Sequence, residues 1–173
     1  MIKQISYPTF FSRIFAGIID LFLISCFLGP IFSYLHYHLL TTEFVDFFTE
    51  MRIDIANKDM VYQSLRTPEF LTFITEEGYS RSLSVSLISL AMQLFFIGAY
   101  MVLFIYKFGT TPGKMITRSK VVDATTLEAP TLLQLVKRFF VSCFCLIGIW
   151  FILFTNKKQS LHDKAAGTLV VKI

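Results

Sequence analysis

The chain has 173 residues, a formal net charge of +4 and 54% hydrophobic residues, with only 16% charged where an ordinary globular domain carries roughly 25%. The missing charge is concentrated in long apolar runs, which excludes an ordinary soluble domain, because helices apolar on every side need more covering chain than this length supplies. The composition predicts an all-α membrane protein whose first partner is the lipid bilayer, and nothing in it calls for nucleic acid.

Between Ile14 and Leu35 the only ionised side chain is Asp20. That run exceeds the ~20 residues needed to cross a ~30 Å hydrocarbon core, so residues 14–35 are predicted as the first span. A cleaved signal peptide fits poorly: the run is too long, holds Asp20 and lacks a small-residue cleavage pattern. The connection at 41–82 carries eight of the twelve acidic residues and four basic ones. Phe44, Phe47, Phe48 and Met51 recur in it at helical spacing, which predicts an amphipathic helix on the membrane face. Thr67 as cap and Pro68 at the first helical position predict a second short helix, with Phe70, Phe73 and Ile74 on one side and Gly78 ending it.

Residues 83–106 form the second predicted span, since no charge falls between Leu83 and Tyr106. A basic connection at 107–131 follows, then a third apolar segment at 132–154 and a polar tail at 155–173. The uncharged core of the third segment, Phe139 to Phe154, is only 16 residues long, and Gly148 offers a place to bend. It either crosses a slightly thinned membrane or re-enters on the side it left. Lys120–Asp123 and Gly167–Val171 have strand character and could pair if the tail and the basic connection share one side. A cytoplasmic N-terminus and tail put twelve Lys and Arg residues inside and four outside, as the positive-inside rule favours. Cys26, Cys143 and Cys145 all lie in apolar runs, where they are expected to pack as small hydrophobes rather than form disulfides.

Asp20 carries the sharpest functional signal. A carboxylate near a helix centre costs about 2.5–3.5 kcal/mol on insertion scales and should find a partner. Arg13 lies seven residues earlier, on the same helix face and roughly 10 Å away, with the small Ala16 and Gly17 between them. Tyr100 is expected at a similar depth on the second span, on a stripe with Ser86, Ser89 and Gln93. Arg13, Asp20 and Tyr100 are therefore the candidate cation- or proton-binding set, and a purely structural polar clamp is the alternative reading. Gly109-Thr110-Thr111-Pro112-Gly113-Lys114 is not a phosphate loop: three residues separate its glycines and Met115 follows the lysine. It reads as a tight turn leaving the membrane. His162-Asp163 reads either as an acid–base pair or as a turn cap, and His36-x-His38 alone is weak evidence for a metal. The sequence shows no catalytic constellation, metal-ligand set or cofactor motif, so neither enzyme activity nor a cofactor is expected.

Several motifs recur in a fixed order. Tyr7 precedes Arg13-x-x-Ala16-x-x-x-Asp20, and Gly109-x-Thr111-x-Gly113-Lys114 precedes Val121-Val122-Asp123. Arg138 follows, and then His162-Asp163-x-x-Ala166-Gly167-Thr168-x-Val170-Val171. In this the chain resembles the RDD family of bacterial membrane proteins, named for one arginine and two aspartates. The resemblance implies that Arg13 and Asp20 are the arginine and first aspartate, and that the second is Asp163 or Asp123. It implies a multi-pass protein of the bacterial cytoplasmic (inner) membrane. For function it implies transport of a small ligand or cation/proton exchange; a membrane scaffold or assembly factor, with Arg13, Asp20 and Asp163 holding its shape, is the alternative reading of the residues. One copy has too few spans to wall a pathway, so transport would require a homo-oligomer or a larger membrane complex.

Overall fold

The computed structural model describes residues 6–144, 146–155 and 158–172. In chain order, α1 spans Phe10–Glu43, α2 Val45–Glu50, α3 Lys58–Ser64 and α4 Pro68–Phe73. A π-helical turn at Ile74–Gly78 leads into α5 at Tyr79–Phe108. Then come α6 (Pro112–Ile116), β1 (Ser119–Asp123), α7 (Leu132–Phe144), a 3-10 helix at Leu146–Leu153, α8 (Leu161–Ala166) and β2 (Thr168–Lys172).

Two helical stretches, Phe10–Glu43 and Pro68–Phe108, are long and apolar enough to cross a membrane. Only 17% of the most apolar window in each is buried within the protein. Phe15, Ile18 and Phe22 on α1, and Leu87, Leu90 and Leu103 on α5, all stand exposed. A core helix of a soluble protein would hide such side chains, and water would penalise this much bare apolar surface. Bare apolar surface on helices of this length is the kind that lipid covers. Both helices outrun the predicted spans, because nothing at 36–43 or 79–82 breaks helical geometry. The third apolar segment is not one helix. α7 stops at Phe144 after 13 residues, about 20 Å at 1.5 Å per residue, and Gly148 falls inside the 3-10 helix rather than at a bend.

Contacts divide the chain into two compact units, Met1–Cys26 with Phe96–Ile173, and Phe27–Phe95. In the second unit, Tyr37, Leu40, Phe44, Phe47, Phe48, Val61, Phe70 and Val85 form a buried cluster. Phe47 and Phe70 meet edge-on with ring centroids 5.0 Å apart, a favoured aromatic geometry. This corrects the expectation that Phe44, Phe47 and Phe48 lie against lipid. They pack on one another and on side chains of α1 and α5, and Phe48 is fully buried. The capping reading of α4 agrees in detail, since the Thr67 hydroxyl accepts the Phe70 N–H at 3.4 Å and Pro68 opens the helix. Gly78 does not end it. The π turn absorbs the extra residue and passes the backbone directly into α5. His36 bonds Ser89 at 2.9 Å while His38 stacks edge-on against Tyr34, so the two imidazoles have separate partners.

In the first unit, β1 and β2 pair antiparallel with Lys120 opposite Val171, Val121 opposite Val170 and Val122 opposite Leu169. Val121 and Val170 pack with Ile105 and Leu135 in a small core. The Lys172 N–H donates to the Ser6 carbonyl at 2.8 Å, so the N-terminal arm extends this pairing. α8 starts on a capping box between Ser160 and Asp163 and ends at Gly167, whose φ of +65° is the left-handed geometry that a side chain would strain. Cys26 is exposed rather than packed and Cys143 is half-buried, while Cys145 lies outside the described residues.

Candidate functional site

Asp20 projects from α1 onto the start of α6. A helix as short as α6 leaves its first N–H groups without internal acceptors, and its own N-cap residue, Thr111, makes no side-chain capping bond. The Asp20 carboxylate supplies the cap from a distant helix. Oδ1 accepts the Gly113 N–H at 2.8 Å, and Oδ2 accepts the Thr111 hydroxyl at 2.5 Å. Tyr100, on α5, donates to Oδ1 at 3.2 Å. All three donors are neutral, and Asp20 and Thr111 are buried. The approach requires a glycine, because a Cβ on Gly113 would sit on the Ala16 carbonyl oxygen and 2.9 Å from Asp20 Cγ. Gly113→Ala is therefore expected to destabilise the protein by about 1–3 kcal/mol, as overpacking against backbone does. Thermal unfolding in detergent checks it, and an unchanged midpoint would refute the close approach.

Arg13 does not pair with Asp20. Its guanidinium donates to Asp163 Oδ2 at 2.5 Å and to the Lys158 carbonyl at 2.6 Å, 150 and 145 residues along the chain. Arg138, on α7, holds the other face of the same carboxylate, with Nη2 2.7 Å from Oδ1. Asp163 is fully buried, and each guanidinium is about 8% exposed. Burial by itself opposes ionisation of Asp163, but Arg138 and Arg13 outweigh it and hold the carboxyl well below the usual range. The same Oδ2 accepts the Ser160 N–H at 3.3 Å, so the residue that pairs both arginines also caps α8. Asp123 is placed elsewhere. It accepts from Gln134, Thr125 and Thr126 in a turn after β1, and those bonds lower its pKa. The carboxylate brought to Arg13 is thus that of Asp163.

A cavity of about 320 Å³ adjoins both aspartate clusters. Its lining includes the ionisable Arg13, Asp20, Lys114, Arg138 and His162 and the apolar Ile97, Met101, Ile105, Leu135 and Phe139. Burial, reinforced by the positive charge of Arg138, lowers Lys114 to about 7 and His162 to about 4. His162 Nε2 is 3.8 Å from Asp163 Oδ1, too far for a hydrogen bond, so the His162-Asp163 dipeptide makes no acid–base pair. Gly109, with φ +71°, and Thr111 lead into α6; Gly167 and Thr168 join α8 to β2. These four shape the backbone around the clusters rather than line the cavity. Ser86 and Gln93 stay exposed, so of the predicted stripe only Tyr100 reaches Asp20. Among the described residues, no group of three or more His, Cys, Asp or Glu side chains could hold a metal ion.

The feature that sequence reasoning missed is the second arginine of the clamp. Arg138 stands among apolar residues of α7, and a cation in such a run should be paired. That signal was present, but the partner was not legible. An uncharacterised protein of Rickettsia prowazekii (strain Madrid E) is 40% identical over 172 residues, covering 99% of each chain. No solved structure matches the chain. The RDD family matches over residues 7–167, from the N-terminal arm past the Asp163 cap. A match of that extent concerns the whole fold, and on that ground the chain belongs to the RDD family.

Proposed function

We propose that this protein is a non-catalytic scaffold or assembly component of the bacterial inner membrane, in which Asp20 and Asp163 are structural clamps. One observation carries the reading: each carboxylate is hydrogen-bonded or ion-paired to groups on separate elements and so holds those elements together. Asp20 joins α1, α5 and α6, and Asp163 joins α1, α7 and α8. The N-terminus and the tail are on the cytoplasmic side, with the acidic 41–82 connection outside and two crossings between. The bonds from β2 to β1 and from Lys172 to Ser6 support this, since they require those segments to share one side. So does the placement of twelve of the sixteen Lys and Arg residues on that side.

A second reading, cation/proton exchange at Asp20 within a homo-oligomer or larger complex, is favoured by one observation. Lys114, held near neutrality, lines the same cavity as Asp20. Asp20→Asn separates the two. The amide keeps an oxygen for Gly113 and Tyr100, and the Thr111 hydroxyl can turn to accept from its NH₂, so assembly survives. The assay is pH change driven by a cation gradient in vesicles holding only purified protein. The scaffold reading expects no difference between variant and parent. Flux present in the parent and abolished in a well-assembled variant would overturn it in favour of exchange.

A further inference from the structure

We propose that the cavity binds the anionic end of a membrane amphiphile, a phosphoryl or carboxyl headgroup against Lys114, Arg138 and Arg13, with its chain along the apolar wall of α5. The charge pattern points to an anion. Arg13 and Arg138 share a single counter-ion, Asp163, and Asp20 is occupied by neutral donors. Lys114 adds a third cation and makes no ion pair within 4 Å among the described residues. Counted formally, the three cations exceed the two carboxylates by one charge.

Donor capacity agrees. Arg138 Nη1 and Arg13 Nε, like Asp163 Oδ1, are buried without a hydrogen-bond partner among the described residues, so a ligand oxygen meets these donors once the two guanidinium groups turn toward the cavity that both residues line. Unpaired donors on buried guanidinium groups are costly, and Arg is well suited to the planar oxygens of carboxylate and phosphate. An anion beside Lys114 would also favour its charged form, which burial now opposes.

The apolar wall selects an amphiphile over a free anion. Ile97, Met101 and Ile105 recur along one face of α5, a helix long enough to cross the membrane. Leu21, which also lines the cavity, is 64% exposed, so the apolar part reaches the surface that lipid covers. Lys114 comes from α6, whose start is tied through Asp20 to Tyr100, about two turns before the end of α5. The volume falls within the range of small-ligand sites.

The test uses the full chain in a neutral detergent, titrated with dodecyl phosphate, dodecylphosphocholine or inorganic phosphate and followed by thermal shift and calorimetry. Saturable binding of dodecyl phosphate is expected, at least about tenfold tighter than either comparator, the scale of one charge-assisted bond. Lys114→Gln should lose about tenfold in that affinity, and Lys114→Arg should restore most of it. Equal binding of inorganic phosphate would make the site one for a free anion, and equal binding of the zwitterion would remove the charge argument. Absence of saturable dodecyl phosphate binding to the parent protein overturns the proposal without recourse to any variant.

Discussion

Asp163→Asn is expected to lower stability by about 3–5 kcal/mol, the usual cost of stripping one partner from a buried ion pair. The variant leaves Arg13 and Arg138 buried with no counter-ion, and it weakens the Ser160 cap of α8. For a chain of this size the loss corresponds to a fall in melting temperature of about 6–20 °C. A fall of less than about 2 °C in detergent would mean that the clamp contributes little. The same pair sets a pH dependence whose sign follows from the lowered carboxyl pKa. Its stabilisation is complete above the unfolded value near 4 and is lost as pH falls toward the lower folded value. Melting of the parent should therefore decline below about pH 4 by an increment that Asp163→Asn lacks.

Asp20→Leu is the second large expected loss. It fills the space but provides no acceptor, so the Thr111 hydroxyl and Gly113 N–H stay buried and unpaired, at about 1–3 kcal/mol each. The damage should be local before it is global, because α6 has only five residues and depends on this carboxylate for its cap. Limited trypsinolysis at Lys114, Arg118 and Lys120 should accelerate well before the long helices yield. Asp20→Asn, with its remaining acceptor, should be cleaved at close to the parent rate. If leucine and asparagine variants behave alike, Asp20 is not holding α6 in place.

The locally determined features were legible in the sequence. The two long helices follow from uninterrupted apolar runs, α4 from Thr67 and Pro68, and the strand pair from its short β-branched segments. Each of these depends on residues within a few positions of one another, so spacing is sufficient evidence. What the tertiary structure alone decided is which distant partner each polar group takes. Arg13 and Asp20 share a helix face two turns apart, yet a guanidinium pairs with the carboxylate that folding brings within hydrogen-bond reach, here 150 residues away. Phe44, Phe47 and Phe48 show the same limit. Their helical spacing marks an apolar face, but whether lipid or protein covers it depended on Tyr37 of α1 and Val85 of α5 arriving to bury it. Periodicity records that a surface must leave water and carries no record of what it meets.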